Sequence, residues 1–538
     1  MLQGRQEAAA VDAVVIGAGF SGLYMLYRLR ELGLSARVYE AGDGVGGTWY
    51  WNRYPGARCD SPSVHYSYAF SPELEQEWEW SERYPAQPEI LSYLNHVADR
   101  FDLRRDIQFG TRVSSACYDD LTNRWSLQMQ GGERVSARYC IAASGCLSLP
   151  NTPQLPELAT FAGPVYHTGR WPHTAVDFAG QRVGVIGTGS TGIQLIPHLA
   201  RQASQVTVFQ RTANYSLPAH NRPLTAEEQA RVKANYRALR QSDRESAAGF
   251  TPTYVDAPSA HAVPAEVRQR RFAEAWALGG FQVLGVFSDI VVDLAANTYL
   301  ADFVRARIAA TVHHPETAEA LMPRDHPIGS KRICVDTAYY ETYNRENVTL
   351  VDVRASPIEQ ITPGGLRTQT AQYRLDALVL ATGFDAMTGA LFAIDIRGVG
   401  GLLLKEKWAA GPRTYLGLMT AGFPNFFLIT GPGSPSVLSN MTVSIEQHVE
   451  WIADCLRYIQ DRRYARIEPT VQAEDAWVAH ADTVARHTLF PRANSWYLGA
   501  NIVGKPRVFL PYAGGVGNYR ITCQQVAEEG YRGFALIS

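Results

Sequence analysis

The sequence predicts an α/β chain with two Rossmann-like dinucleotide-binding domains and a helical insertion. Three observations predict it. The pattern G-x-G-x-x-G occurs at Gly17, Gly19 and Gly22, and again at Gly187, Gly189 and Gly192. Each copy follows a short apolar run and opens an apolar helical pattern. A charged stretch rich in helix formers lies between the second copy and the next strand-like runs.

In the first unit, Val14, Val15 and Ile16 read as a strand buried on both faces. Gly17 makes the tight turn, Gly19 lets the backbone approach a pyrophosphate, and Gly22 lets helix and strand pack closely. Leu23, Leu26, Tyr27 and Leu29 then lie on one side of a helix whose amino terminus offers N–H groups to phosphate. The next strand-like run, "ARVYE", ends on Glu40, an acceptor for a ribose diol.

The second unit repeats the order, with "TGIQLIPHLARQ" as helix and "QVTVFQRT" as strand. That strand ends on Gln210, Arg211 and Thr212 instead of on an acid. A carboxylate there would repel a 2′-phosphate, whereas a guanidinium pairs with it bidentately. The first site is therefore expected to take a dinucleotide with a free ribose diol, and the second NADP(H). Two such sites in one chain suggest electron transfer between two cofactors, one of them FAD. "LDALVLATGFD", residues 375–385, reads as a buried strand into a Gly turn. "YCIAASGCLSLPNTPQLP" reads as the first domain's exit, with Pro150, Pro153 and Pro156 marking a linker.

The bulk properties exclude several classes. The 538 residues suffice for two to four domains, and 46% hydrophobic residues suit a globular chain. A net charge of −2 argues against nucleic-acid binding. Apolar runs fall short of a membrane span. "MLQGRQEAAA" is too short and polar for a signal peptide. The seven Cys are odd in number and lack zinc-type spacing, so reduced thiols, no metal site and a cytoplasmic location are expected.

Two further motifs narrow the chemistry. "FAGPVYHTGRWP" carries Phe161, Gly163, His167, Trp171 and Pro172 in the spacing F-x-G-x-x-x-H-x-x-x-W-P. "GGTWYWNRYPGARCD" spans residues 46–60 and ends on Asp60. On these motifs the chain resembles the type I Baeyer–Villiger monooxygenases of the phenylacetone and cyclohexanone monooxygenase group. The likeness extends through "KRICVDTAYYETYNRENV", "GPGSPSVLSNM" and "NSWYLGANIVGKPR".

The resemblance implies a reaction. NADPH reduces FAD, O2 adds to give a C4a-peroxide, and the peroxide anion attacks a ketone. The tetrahedral adduct rearranges to an ester or lactone, and sulfide oxygenation is a side activity. A fixed positive charge must hold the anions, and by resemblance it is Arg332, oriented by Asp60. Lys331 contacts the NADP phosphate, and Trp496 contacts NADP+. Ser436, Val437 and Leu438 border the substrate pocket. Taken alone, Asp60 would read as a turn residue and Lys331-Arg332 as a solvated face. FAD contacts are expected from Phe20, Ser21, Gly47, Thr48, Trp49, Asp60 and Tyr66. NADP contacts are expected from Thr188, Ser190, Thr191, Arg211 and Thr212. His167 is a motif residue of an interdomain joint, not a base, and Phe161 and Trp171 anchor that joint on the domains. Tyr54 lies near the flavin or packs as an aromatic.

The expected organisation is discontinuous. Residues 1–150 and 381–538 form the FAD domain, 151–220 and 328–380 the NADP domain, and 221–327 the helical insertion, which covers one wall of the substrate region. Ile445, Val449, Ile452, Leu456 and Ile459 mark a core helix. The partners are a small ketone and O2, and the chain is a monomer or weak homo-oligomer. Three rivals stand: a flavin monooxygenase acting on nitrogen or sulfur, a disulfide reductase, and a non-enzymatic FAD/NADP redox sensor. Cys140 and Cys146 are wrongly spaced and placed for the redox pair of a reductase.

Overall fold

Strand Ala9–Ile16 runs through the middle of the first sheet, with Val14 and Val15 fully buried. The computed structural model describes residues 9–250 and 256–538. Residues 1–8, part of the stretch read above as lacking a leader, and 251–255 of the insertion lie outside the described residues. Parallel neighbours flank the central strand: Ala36–Tyr39 on one side and Arg134–Ala142 on the other. The hairpin Val113–Asp119 and Arg124–Met129 continues the sheet antiparallel, and Asp395–Arg397 closes that edge. Phe426–Leu428 adds beside Arg134–Ala142, so segments nearly 300 residues apart share the sheet.

The second sheet has five described strands, all parallel. Their order is Val348–Asp352, Gln205–Gln210, Arg182–Ile186, Ala377–Leu380 and Val165–His167. The last differs from the linker reading of the F-x-G motif. Val165, Tyr166 and His167 pair with Leu378, Val379 and Leu380 as an edge strand. A β-branched and an aromatic residue suit a pleated surface, and the edge beside Ala377–Leu380 is available to them. Phe161 and Trp171 are both buried, and both join the cores around this second sheet.

Helices Ala226–Glu245, Ala265–Leu278, Leu294–Thr311 and Pro315–Leu321 make up most of the described insertion. The first opens on a capping box, in which Thr225 Oγ1 accepts the Glu228 N–H and Glu228 accepts the Thr225 N–H. The third is capped by Asp293, which accepts from Ala296 N at 2.8 Å. Phe272, Phe287, Leu300 and Val304 are buried in the same core as Val183, Val185 and Val208 of the second sheet. The insertion therefore has no separate core of its own among these residues. Among the described residues, no helix is long and apolar enough to cross a membrane, and none of the seven cysteines forms a disulfide.

Helix Met441–Asp461 is a core helix, as its spacing predicts: Ile445, Val449, Ile452, Leu456 and Ile459 are all buried. Its polar side faces the first insertion helix, where Arg244 lies 4.0 Å from Glu450, and that insertion helix is tied to residues 65–75 by buried charges. Arg240 donates to Glu75 at 2.7 Å and to Ser67 Oγ at 2.7 Å, and Asp243 pairs with His65 at 2.9 Å. A buried ion pair left half-broken costs more than one never made, so this seam is sensitive to single substitutions. Glu446 lies in the same seam and accepts the Ala69 N–H at 2.6 Å.

Burial, with Glu450 adding to it, pushes the Glu446 carboxyl up to about 7. The folded chain then holds a proton that the unfolded chain releases near 4.5. The stability this group contributes is complete below about 4.5 and is lost as pH rises through about 7. Glu446→Gln keeps an acceptor for Ala69 and cannot ionise. Its melting temperature is expected to match wild type at pH 4.5 and to exceed it at pH 8, as thermal melts across this range would measure.

Candidate active site

Both glycine turns are built for a close ligand. Gly17 has φ +107°, and a Cβ there would lie 2.7 Å from the Ala143 carbonyl oxygen. A Cβ on Gly22 would lie 1.8 Å from the Gly17 oxygen, so helix Phe20–Glu31 packs on the turn only because residue 22 has no side chain. The second turn repeats this at Gly187 (φ +111°) and Gly192, whose Cβ would lie 2.3 Å from the Gly187 oxygen. Gly189 differs, because a Cβ there would meet nothing within 4 Å and points into open space. Helices Phe20–Glu31 and Ser190–Gln202 both start on a glycine with no side-chain cap, and neither has an acid in its first turn. Uncapped N–H groups, a cradle without Cβ atoms and the positive end of a helix dipole fit a pyrophosphate at each turn.

Glu40 is buried, and its two carboxylate oxygens accept the N–H groups of Ala18 and Gly42 at 2.7 Å each. It ties the first turn together and keeps further lone pairs for a diol. Burial raises its pKa while those two N–H groups act against the rise. Ser21 is buried in the first helical turn, and Phe20 packs on Tyr66 at 5.3 Å.

The segment 46–60 runs from one turn to the other. Gly46 N donates to Ala18 O, and Gly47 lies against Gly19. Thr48 opens the short helix Thr48–Trp51, and Trp49 Nε1 donates to Tyr66 Oη at 3.1 Å. Further on, Tyr54 Oη donates to Gln194 on the second unit's helix at 2.8 Å. A Cβ on Gly56 would lie 2.6 Å from the Gln194 oxygen. The segment then delivers Asp60.

Asp60 meets Arg332 across 272 positions of sequence. Arg332 Nε donates to Oδ2 at 3.0 Å, and Nη2 donates to Oδ1 at 2.8 Å and to Oδ2 at 2.7 Å. Arg332 Nη1 donates to the Val437 carbonyl at 2.8 Å, which joins the guanidinium to the 3-10 turn Ser436–Leu438. The Phe281 ring centre lies 5.3 Å from the guanidinium carbon, within cation–π range. Gly279 (φ +73°) and Gly280 (φ +65°) directly precede this residue and adopt backbone that favours glycine. Burial acts to lower the Arg332 pKa, but the Asp60 carboxylate outweighs it and the net shift is upward. The side chains are 26% and 22% exposed, so a fixed positive charge faces an accessible space.

A second group of cations lies beside the second turn. Lys331 is pulled down in pKa by burial, opposed by Asp325 and reinforced by Arg354 and Arg211. Arg211 is exposed and makes no hydrogen bond or ion pair among the described residues. Arg354 pairs with Asp325 and donates to Thr212 Oγ1 at 3.0 Å, and Thr188 Oγ1 donates to Thr212 O. Ser190 Oγ lies 3.3 Å from Cys334 Sγ, and Thr191 follows it in the first turn of the same helix. Lys331, Arg211 and Arg354 supply three positive charges against one Asp325, which suits a phosphate dianion. Arg354 and Asp325 were absent from the sequence reading because nothing local marks them.

The F-x-G motif lies apart from Arg332. A Cβ on Gly163 would lie 2.2 Å from the Asp376 carbonyl oxygen, so this glycine seats the edge strand. His167 Nδ1 accepts the Gly169 N–H at 3.0 Å, and Nε2 lies 3.3 Å from Asn151 O and from Thr382 Oγ1. Burial lowers the His167 pKa. Trp171 and Pro172 follow, with Trp171 against Tyr166 at 5.3 Å. Trp496 is half-buried and packs on Tyr497 at 4.4 Å. Phe281 and the Val437 carbonyl are site groups that sequence reasoning missed.

Two dinucleotide turns, a half-buried cation held by Asp60 and, among the described residues, no redox Cys pair define a two-cofactor oxidoreductase. Cys140 and Cys146 are buried and unbridged, and burial raises both thiols. Residues 14–248 match the family model "Pyridine nucleotide-disulphide oxidoreductase". A Baeyer–Villiger monooxygenase of Pseudooceanicola batsensis is 45% identical, covering 97% of this chain and 96% of the relative. The phenazine N-monooxygenase of Lysobacter antibioticus is 44% identical, covering 98% and 97%. A steroid monooxygenase, solved oxidised and bound to NADP, is 54% identical with a TM-score of 0.94, covering 98% of this chain and all of that one. The chain belongs to the Baeyer–Villiger monooxygenase family.

The glycines give a paired prediction. Gly22→Ala places its methyl into the Gly17 carbonyl and is expected to lower the melting temperature by several degrees. Gly189→Ala meets no protein atom, so its melting temperature is expected to stay at the wild-type value. Dinucleotide binding at the second turn should nevertheless weaken by about 10-fold, because the methyl fills the cradle. Calorimetric melts and titration with NADP+ separate the two effects.

Proposed function

We propose that this chain is an NADPH- and FAD-dependent monooxygenase that places one atom of O2 beside a ketone carbonyl, giving an ester or lactone. The observation that carries the reading is Arg332, held by Asp60 and the Val437 carbonyl between the two nucleotide turns. FAD fits the first turn, with Gly17, Gly19, Gly22 and Glu40 around it. NADPH fits the second, with Gly187, Gly189, Gly192, Lys331, Arg211 and Thr212. Bound together, the two cofactors supply reducing equivalents and activate O2. The division into residues 1–150 with 381–538, 151–220 with 328–380, and 221–327 fits the two sheets and the insertion.

The protein's own contribution is electrostatic. Negative charge grows on a ketone oxygen as its carbon becomes tetrahedral. A preorganised guanidinium stabilises that charge without reorganising. Arg332 keeps its proton throughout, because its pKa lies far above neutrality. Asp60 offsets the cost of burying the cation and fixes its plane through paired N–H bonds. The Phe281 ring on one face keeps water from that side.

A second reading, oxygenation of a ring nitrogen, is favoured by the Lysobacter relative, which shares 44% identity at nearly full length. A nitrogen nucleophile builds no oxyanion at a carbonyl carbon, so it makes less use of Arg332. The same variant therefore tests both readings. In Arg332→Ala, flavin reduction by NADPH is expected to persist while ester formation falls about 100-fold or more. Ester at the wild-type rate would sink the mechanism, and N-oxide formation surviving the change would favour the second reading. Arg211→Ala is expected to raise the Michaelis constant for NADPH about 10-fold and to leave that for the ketone unchanged. A loss confined to the ketone would refute its phosphate role.

A further inference from the structure

Strand Gln205–Gln210 carries no acid at its end, yet the fold brings one to that place from the insertion. The strand lies parallel to Val348–Asp352, with Gln210 opposite Asp352. Both therefore end on one rim of the second sheet, the rim where open parallel sheets bind their ligands. Val353 N donates to Gln210 O at 2.9 Å, and Arg354 N donates to Asp352 Oδ1 at 2.8 Å. Arg354 is thereby set beside the strand end, and its Nη2 donates to Thr212 Oγ1 at 3.0 Å. Thr212 O in turn accepts from Thr188 Oγ1 at 3.0 Å, inside the second glycine turn.

Asp325 reaches the same guanidinium from the segment 320–326. Its Oδ2 pairs with Arg354 Nη2, and its Oδ1 lies 2.6 Å from His326 Nδ1. Three bonds seat this segment against the second unit. Gln210 Nε2 donates to Ala320 O at 2.7 Å, Tyr215 Oη donates to Pro323 O at 3.2 Å, and Arg305 Nη1 donates to Pro323 O at 3.1 Å. The His326 side chain is 1% exposed, and its Nε2 has no hydrogen-bond partner among the described residues. The ring proton therefore sits on Nδ1 and is donated to Asp325. Burial lowers the His326 pKa, so the ring is neutral and leaves the negative charge of Asp325 in place.

The side chains of Arg354 and Asp325 are 53% and 36% exposed, and a pair so open contributes little to stability. It opens readily to a stronger partner. A 2′-phosphate carries up to about two negative charges and engages a guanidinium through paired N–H bonds. It displaces one carboxylate from Arg354, but it then stands beside that carboxylate and is repelled by it. A ribose 2′-hydroxyl has the opposite balance. It carries no charge, leaves the Arg354–Asp325 pair closed, and donates to a free carboxylate lone pair.

We propose that Asp325 is a specificity-determining residue for the second dinucleotide. It opposes a 2′-phosphate at Arg354 and accepts a ribose hydroxyl, so the preference for the phosphorylated cofactor is smaller than the cations alone would give. This inference rests on the reading of the second turn as the NADPH site, and it adds to that site an acid that sets the margin over NADH.

The test is Asp325→Asn in flavin-loaded protein. The new side chain keeps an oxygen for His326 Nδ1 and loses the charge, and its NH2 group cannot accept from Arg354. NADP+ and NAD+ are each titrated calorimetrically into wild type and variant, with thermal melts alongside. The quantity read is the ratio of the two affinities. Any loss of folded protein lowers the number of sites in both titrations and leaves that ratio unchanged. NADP+ is expected to bind about 10-fold tighter to Asp325→Asn and NAD+ to stay within about 3-fold of wild type. The ratio of kcat/KM for NADPH over NADH should rise with it. Arg354→Gln is expected to weaken NADP+ about 10-fold and to leave NAD+ within about 3-fold.

An unchanged ratio in Asp325→Asn would overturn the inference. A falling ratio would do so too, because Asp325 would then hold Arg354 in place for the phosphate instead of competing with it. Unchanged NADP+ affinity in Arg354→Gln would remove the guanidinium on which the competition depends. If wild type binds neither nucleotide, the NADPH reading of the second turn fails and takes this one with it. If wild type binds NADP+ and only the Asp325→Asn ratio fails to move, the NADPH reading stands and the role of Asp325 is lost.

Discussion

The ion pair between Asp60 and Arg332 is the constraint on which the rest of the site depends. It closes a loop of 272 residues and does so with three short N–H···O contacts on one guanidinium edge. Two half-buried charges are stable together only when each satisfies the other, because either alone would face a large desolvation cost. The segment 46–60 and the segment around Lys331 therefore cannot move independently. Everything that fixes one of them, from the contact of Gly47 with Gly19 to the Lys331 cation group, bears on the other.

That pair also explains why the two nucleotide turns face a shared centre. Residues 46–60 contact the first turn through Gly46 and the second unit's helix through Tyr54 and Gly56. Lys331 and Arg332 are adjacent in sequence, yet Lys331 joins the cation group near Arg211 and Arg354 while Arg332 turns to Asp60. Opposite directions for neighbouring side chains are what extended backbone provides. One dipeptide thus joins two separate groups of charges.

Parts of this were legible in the sequence and parts were not, for physical reasons. The glycine turns were legible because a Cβ at Gly17, Gly22, Gly187 or Gly192 collides with backbone, a local requirement that leaves a local signature. The core helix was legible because Ile445, Val449 and Ile452 repeat with the helix period. Asp60 and Arg332 were legible only through resemblance, since a lone acid and a Lys-Arg pair have no local mark of their future contact. The Val437 carbonyl was illegible because its role comes from the path of the backbone, not from residue type. The F-x-G motif was legible as a pattern and as a joint anchored by aromatics, but its strand was not. Its central residues pair as a sheet edge, and edge pairing is decided by which neighbour the fold leaves open.

The stretch from Gly46 to Asp60 works as a ruler. Its near end is pressed to one nucleotide turn, its middle to the helix of the other, and its far end to the guanidinium between them. The distance from the first turn to the guanidinium is thus set by a fixed length of chain, read out in residues. A single insertion or deletion in this stretch would therefore move Asp60 against Arg332 and shift both against the two turns, whatever the surface loops around them.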